Sequence, residues 1–186
     1  LGCVGIAERA DLTVVGGLVG LVVVGVAAAA GREVGEPISP AVARSIIGLG
    51  LKAAQRQLFP HLTGNETEFF SRFHRAYRNH YEAGEAQIEL YAGAADLIAG
   101  LHARGKIVAV ATAKSRAGID RSLEMTGLKK YVAHSRTPEE CRPKPDPQML
   151  KEILGEAGVS ADAAVMIGDT THDLLMAQNA GVKSVA

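Results

Sequence analysis

The residues able to do chemistry gather around one stretch. Val165 to Asp173 reads VMIGDTTHD, an apolar run into Gly168, then Asp169 and, after a short linker, Asp173. Such a run reads as a buried strand that delivers a carboxylate to the edge of a sheet. Leu174, Leu175 and Ala177 then open a helical pattern that Gly181 ends. Two carboxylates at a strand-to-helix turn repel each other, and a cation, a hydrogen-bond donor or open solvent must relieve them. Asp169 offers a hard oxygen ligand of the kind Mg2+ takes. Lys144 stands between prolines in RPKPDP, a point charge on a stiff loop, suited to an oxyanion. Thr112 ends the apolar run IVAVAT, where its hydroxyl could bind a phosphate oxygen. Each has an ordinary structural use when taken alone. In this order and on these elements they point to phosphoryl chemistry.

The elements that must position them are legible from Glu89 onward. Leu97, Ile98 and Leu101 form a helical stripe closed by Gly105, and IVAVAT follows as a buried strand. Residues 116–125 read as helix and 131–134 as a short strand. Asp146 and Pro147 cap a helix carrying Met149, Leu150, Ile153 and Leu154, and residues 163–167 are the strand before the Asp turn. Helices alternating with strands in this way predict a parallel sheet covered on both faces, with ligands at the C-terminal strand ends. Residues 36–85 are different. Ser39 and Pro40 start one helix, a second is expected near 52–58, and a third follows Asn65. In the third, Phe69, Phe73, Tyr77 and Tyr81 recur every fourth residue, the packed face of a small helical bundle.

With 186 residues, 20 basic and 20 acidic side chains and no net charge, the chain has room for a real core and no basic field. That excludes the charge signature of nucleic-acid or anionic-lipid binding. The two Cys, Cys3 and Cys141, and six scattered His show no metal-ligand spacing, so a reduced, cytoplasmic setting is expected.

Residues 1–35 are anomalous. From Leu12 to Ala30 no residue is charged: LTVVGGLVGLVVVGVAAAA. A membrane helix is one reading, weakened by flanks without a positive bias. A buried strand over Leu21 to Val26 is another. The third is a coding sequence read out of frame, because the composition is unlike all that follows.

The set Thr112, Lys144, Gly168, Asp169 and Asp173, with KPDP and YAGAADLIAGLHARGK, resembles the haloacid-dehalogenase-like hydrolases, in their phosphoglycolate-phosphatase-like branch. The resemblance implies an α/β, Rossmann-like parallel core with an inserted helical cap. The cap would be residues 36–85 and the core 86–186, the latter stopping within its last strand. It implies Mg2+-dependent hydrolysis of a small phosphorylated metabolite through an aspartyl-phosphate. Thr112 and Lys144 would hold the phosphate, Asp169 the metal, and Asp173 would orient Asp169 or Lys144. In the family a central first strand ends in DxDxT and supplies the nucleophile. No DxDxT occurs here, and Asp11, followed by Leu12 and Thr13, is not accepted in its place. No nucleophile is therefore identified, and impaired turnover is expected. A non-catalytic relative that binds phosphate or a partner protein is the alternative.

Overall fold

The computed structural model describes residues 11–15, 22–62, 66–85 and 90–186. They fall into two units, one of Val19–Glu89 and one of Leu1–Leu18 with Leu90–Ala186.

The second unit is a five-stranded parallel sheet in the order β3-β2-β1-β4-β5. Its strands are β1 (Leu12–Val15), β2 (Ile107–Ala111), β3 (Val132–Arg136), β4 (Ala164–Ile167) and β5 (Lys183–Val185). The central strand is the first, and all four of its residues are buried. A parallel strand covered on both faces has no polar side, so LTVV needs no alternation. Leu12 pairs with Ile107 and Ala164, and Val15 pairs with Val110 and Ile167.

Helices α5 (Ala94–Ala103), α6 (Arg116–Met125), α7 (Gln148–Ala157) and α8 (Thr171–Ala180) cover the sheet. On one face Leu12, Val14, Ala109 and Met166 pack with Met149, Leu150 and Ile153 of α7 and Met176 of α8. On the other, Val108, Val110 and Val165 meet Ile98 and Leu101 of α5 and Ile119 and Leu123 of α6.

The first unit is helical: α1 (Val22–Glu33), α2 (Pro40–Ser45), α3 (Leu51–Leu58) and α4 (Thr67–Glu85). Ser39 caps α2 by accepting from the Val42 N–H at 3.3 Å. The expected cap at Asn65 lies outside the described residues. Ala27 and Ala30 of α1 share a core with Phe59, Phe70 and Phe73. Phe59 meets Phe69 and Phe73 edge to face at 5.0 and 4.9 Å.

The structure corrects one reading of the apolar segment. Val22–Glu33 is helix, not a strand over Leu21 to Val26, and the sheet's central slot is taken by Leu12–Val15. Local propensity is divided there, since valines favour a strand and the Ala27–Ala30 run favours a helix. Burial of the alanine face among the phenylalanines decides it. No helix among the described residues is long and apolar enough to cross a membrane.

Thr13 is a local conflict. It is 0% exposed in the central strand, between Val108 and Val165 in register. Its Oγ1 finds no partner among the described residues. A buried hydroxyl left unpaired carries a desolvation penalty without a compensating bond. Thr13→Val keeps the shape and removes the oxygen, so it is expected to raise stability by ~1 kcal/mol. A urea titration reads this as a higher midpoint at unchanged slope. A lower midpoint would show that Thr13 is satisfied.

Candidate active site

Thr112 continues β2 past its last assigned residue, its N–H donating to the Arg136 carbonyl at 3.1 Å. The side chain is buried, and its Oγ1 accepts from the Lys114 N–H at 3.2 Å. The hydroxyl proton finds no acceptor among the described residues and is free to donate. Ser115 then caps α6 by accepting from the Gly118 N–H at 3.2 Å.

Lys144 lies on the loop between β3 and α7, joined to Pro145 by a cis peptide. It is only 5% exposed, unusual for a lysine, and its Nζ donates to Asp173 Oδ1 at 2.5 Å. The loop is tied down on both sides of it. The Arg142 N–H donates to Gln148 Oε1 at 3.0 Å, and Asn179 Nδ2 donates to the Pro145 carbonyl at 3.1 Å.

Asp173 sits in the first turn of α8 and is 1% exposed. Its second oxygen is also occupied, because the Thr170 hydroxyl donates to Oδ2 at 2.7 Å. Thr170 Oγ1 in turn accepts from the Asp173 N–H at 3.3 Å. This reciprocal cap fixes the carboxylate where Lys144 can reach it. Gly168 makes room for it. A Cβ there would lie 2.4 Å from Asp173 Cβ and 2.7 Å from its Cγ, so no side chain fits without moving the acid.

Asp169 is the opposite case. It is exposed, and no side-chain hydrogen bond or ion pair holds it among the described residues. Thus the two acids of the turn divide. Asp173 is buried and committed to Lys144, while Asp169 is left open at the C-terminal end of β4.

The register locates the rest of the site. Val110, Val15 and Ile167 form one row across β2, β1 and β4. Two residues beyond it come Thr112 on one side and Asp169 on the other. Neighbouring strands lie about 4.8 Å apart, so strands on either side of a third leave a gap of roughly 10 Å, which belongs to the central strand. The residues that follow Val15 in sequence are Gly16 and Gly17, outside the described residues. No Asp or Glu occurs between Asp11 and Glu33. Asp11 precedes β1 at the opposite, N-terminal end of the sheet, where its carboxylate pairs with Lys106 at 3.4 Å.

A divalent cation fits this edge only in part. Mg2+ is commonly held by one or two carboxylates with waters and phosphate oxygens completing its shell. Asp169 supplies one such ligand, and among the described residues no group of three acidic, His or Cys side chains converges on a metal position. Cys141 is no competitor for ligand chemistry. Burial and the neighbouring Glu152 push its thiol up to about 11, so it stays protonated. Cys3 lies outside the described residues.

Thr170 was not evident as a site residue from the sequence, although the pattern Thr170-x-x-Asp173 is the signal of a reciprocal helix cap. The Lys144–Asp173 pair gives a direct expectation. Removing one partner of a buried ion pair leaves an uncompensated charge and costs ~3–5 kcal/mol. Lys144→Ala is therefore expected to lower stability by that order in urea unfolding. Lys144→Met combined with Asp173→Leu removes both charges and is expected to cost much less. Equal losses in the two variants would contradict the pairing.

Comparison with known proteins bears on the family and the fold. The family model for haloacid dehalogenase-like hydrolases matches residues 20–186. A phosphoglycolate phosphatase of Vibrio cholerae is 30% identical over 165 residues, 83% of this chain and 72% of that protein. A phosphoglycolate phosphatase of Rhodospirillum rubrum is 32% identical over 159 residues, 85% of this chain and 63% of that one. A pyrophosphatase PpaX of Halalkalibacterium halodurans is 30% identical over 112 residues, 58% of this chain and 51% of its own length. The chain thus spans between about half and about two thirds of these last two relatives. Among solved structures, CbbY from Rhodobacter sphaeroides in complex with phosphate superposes with a TM-score of 0.81 at 21% identity, over 94% of this chain and 84% of that one. A hydrolase from Pseudomonas syringae gives 0.83 at 21% identity, over 94% and 83%. At such identities the structures speak for the fold, an α/β core of Rossmann type. The family match and the curated relatives go further: the chain belongs to the haloacid dehalogenase-like hydrolases, in their phosphoglycolate-phosphatase-like branch.

Proposed function

We propose that the C-terminal edge of the sheet binds the phosphate group of a small phosphomonoester and that the chain as it stands turns such esters over poorly or not at all. The observation that carries this reading is the division of the acidic turn. Lys144 is buried and fixed by Asp173, while among the described residues the Thr112 hydroxyl proton has no acceptor and Asp169 no partner. Lys144 keeps two N–H groups beyond the one given to Asp173 and neutralises anionic oxygens. The Thr112 hydroxyl donates to another. Asp169 would contribute one ligand to Mg2+, which when bound screens the charge of the phosphoryl group. The relatives' names, phosphoglycolate phosphatase and pyrophosphatase, support a small phosphorylated metabolite as the ligand. A cytoplasmic setting, a capping role for the helical unit and no nucleic-acid or membrane partner complete the proposal.

Covalent phosphoryl transfer needs a carboxylate between Thr112 and Asp169, where attack on phosphorus would start. The stretch after Val15 brings none. Little Mg2+-dependent phosphate release from a generic phosphomonoester is therefore expected. Placing Asp at Gly17 and Val19 together is expected to raise it by at least about a hundredfold, since nucleophile loss commonly costs several powers of ten. Robust turnover by the unchanged chain that Asp169→Ala abolishes would overturn the impairment.

The same missing carboxylate favours a second reading, a relative that binds phosphate without hydrolysing it. A ligand that binds only the native state raises the melting temperature. Inorganic phosphate with Mg2+ is expected to do so, and less in Thr112→Val. No shift in a folded sample would remove both readings of the edge as a phosphate site.

A further inference from the structure

The sequence draws no attention to Arg116 or Glu140, yet they meet in a polar junction of several hydrogen bonds. The Glu140 carboxylate accepts from Arg116 Nε at 2.8 Å and from its Nη2 at 2.7 Å, the two parallel bonds of a guanidinium–carboxylate fork. Arg116 Nη1 donates to Ser135 Oγ at 2.8 Å and to Asp120 Oδ1 at 3.4 Å. Its Nη2 also donates to the Ser135 carbonyl at 3.1 Å. Every N–H of the guanidinium is thereby used, and none is left for a ligand.

Glu140 does more than close the fork. Its Oε2 accepts from the backbone N–H of the fully buried Thr137 at 3.1 Å, which folds the start of the Lys144 loop onto the carboxylate. Next to it Glu139 Oε2 accepts the backbone N–H of Arg116 itself at 3.0 Å, at the start of α6. Arg116 stands four residues after Thr112, and Glu140 four before Lys144. Both connections are short. The fork therefore bridges the loop that carries the hydroxyl to the loop that carries the ammonium.

We infer that Arg116 and Glu140 are positioning residues: their fork locks the Lys144 loop to the Thr112 loop and so sets the spacing of the two phosphate-binding groups. This rests on the phosphate reading of the site for its consequence, but not for the mechanical coupling. A surface ion pair of ordinary kind would hold side chains and nothing else. This one joins two backbones, because Thr137 and Ser135 are tied into it as well as α6.

The test uses Glu140→Ala and, in case that variant folds poorly, Arg116→Lys, which keeps the charge and loses the fork. Amide hydrogen exchange is followed at Lys114 in the first loop and at Arg142 and Asp146 in the second, without ligand. Inorganic phosphate affinity is measured in the same samples by calorimetry. Faster exchange in both loops together, with the amides of β1 and β4 unchanged, is the expected result. A phosphate Kd weaker by about tenfold is expected with it, the usual effect of losing a group that orients a ligand-binding side chain. Unchanged exchange in a folded variant, or loosening of one loop alone, overturns the coupling. Loosened loops with unchanged phosphate affinity overturn the claim that the fork sets the spacing. Coupled loosening in a protein whose parent form does not bind phosphate upholds the lock and instead overturns the phosphate reading of the site.

Discussion

The site depends on a lysine being held out of water. An ammonium that is almost fully buried is tolerable only where a carboxylate stands against it and the remaining oxygens of that carboxylate are bonded. Asp173 meets the first need at Oδ1, and Thr170 meets the second at Oδ2. Gly168 is bare because the acid fills the space its side chain would take. Pro143 and Pro145 stiffen the loop so that Lys144 enters from one direction. The helix α8 begins where it does because Thr170 caps it, and the cap is also the fixture of the acid. Remove the pair, and the glycine, the prolines and the cap lose their common purpose.

Much of this was legible in the residues. The alternation after Glu89 predicted the parallel sheet, since helix and strand periods differ and each segment satisfies only one. Thr112 and Asp169 stand just past strand ends, Lys144 on a proline-bracketed loop and Asp173 in the first turn of the helix that follows. What could not be read was the partner of each. Sequence spacing leaves open whether Asp173 turns to Asp169 or to Lys144. That is decided by a distance across twenty-nine positions of chain, closed only when α7 and α8 pack on one face of the sheet. The fork of Arg116 and Glu140 was hidden for the same reason, as its members sit on different loops with nothing local to link them.

The apolar stretch shows where local pattern loses its authority. Its valines read as strand and its length as a possible span of a bilayer. The structure divides it between units, with Leu12–Val15 at the centre of a sheet and its C-terminal part in the helix Val22–Glu33. Leu12–Val15 is too short and too ordinary to announce itself as a central strand. Its identity comes from its neighbours, β2 and β4, each with an unpaired edge that a parallel strand must fill. Any apolar tetrapeptide of suitable shape meets that need. The fold therefore survives at this position under a far looser demand than catalysis, which requires one particular acid just beyond it.

The open carboxylate of Asp169 has an electrostatic consequence. With Asp173 already matched to Lys144, Asp169 adds a carboxylate that no cation pairs among the described residues. That carboxylate repels a doubly charged anion and so works against the attraction that Lys144 supplies. A divalent cation beside Asp169 would reverse that sign. Anion and cation would then be thermodynamically linked: each would raise the affinity for the other by the same factor, whichever arrives first. Charge balance, more than any single contact, would couple the two at this edge.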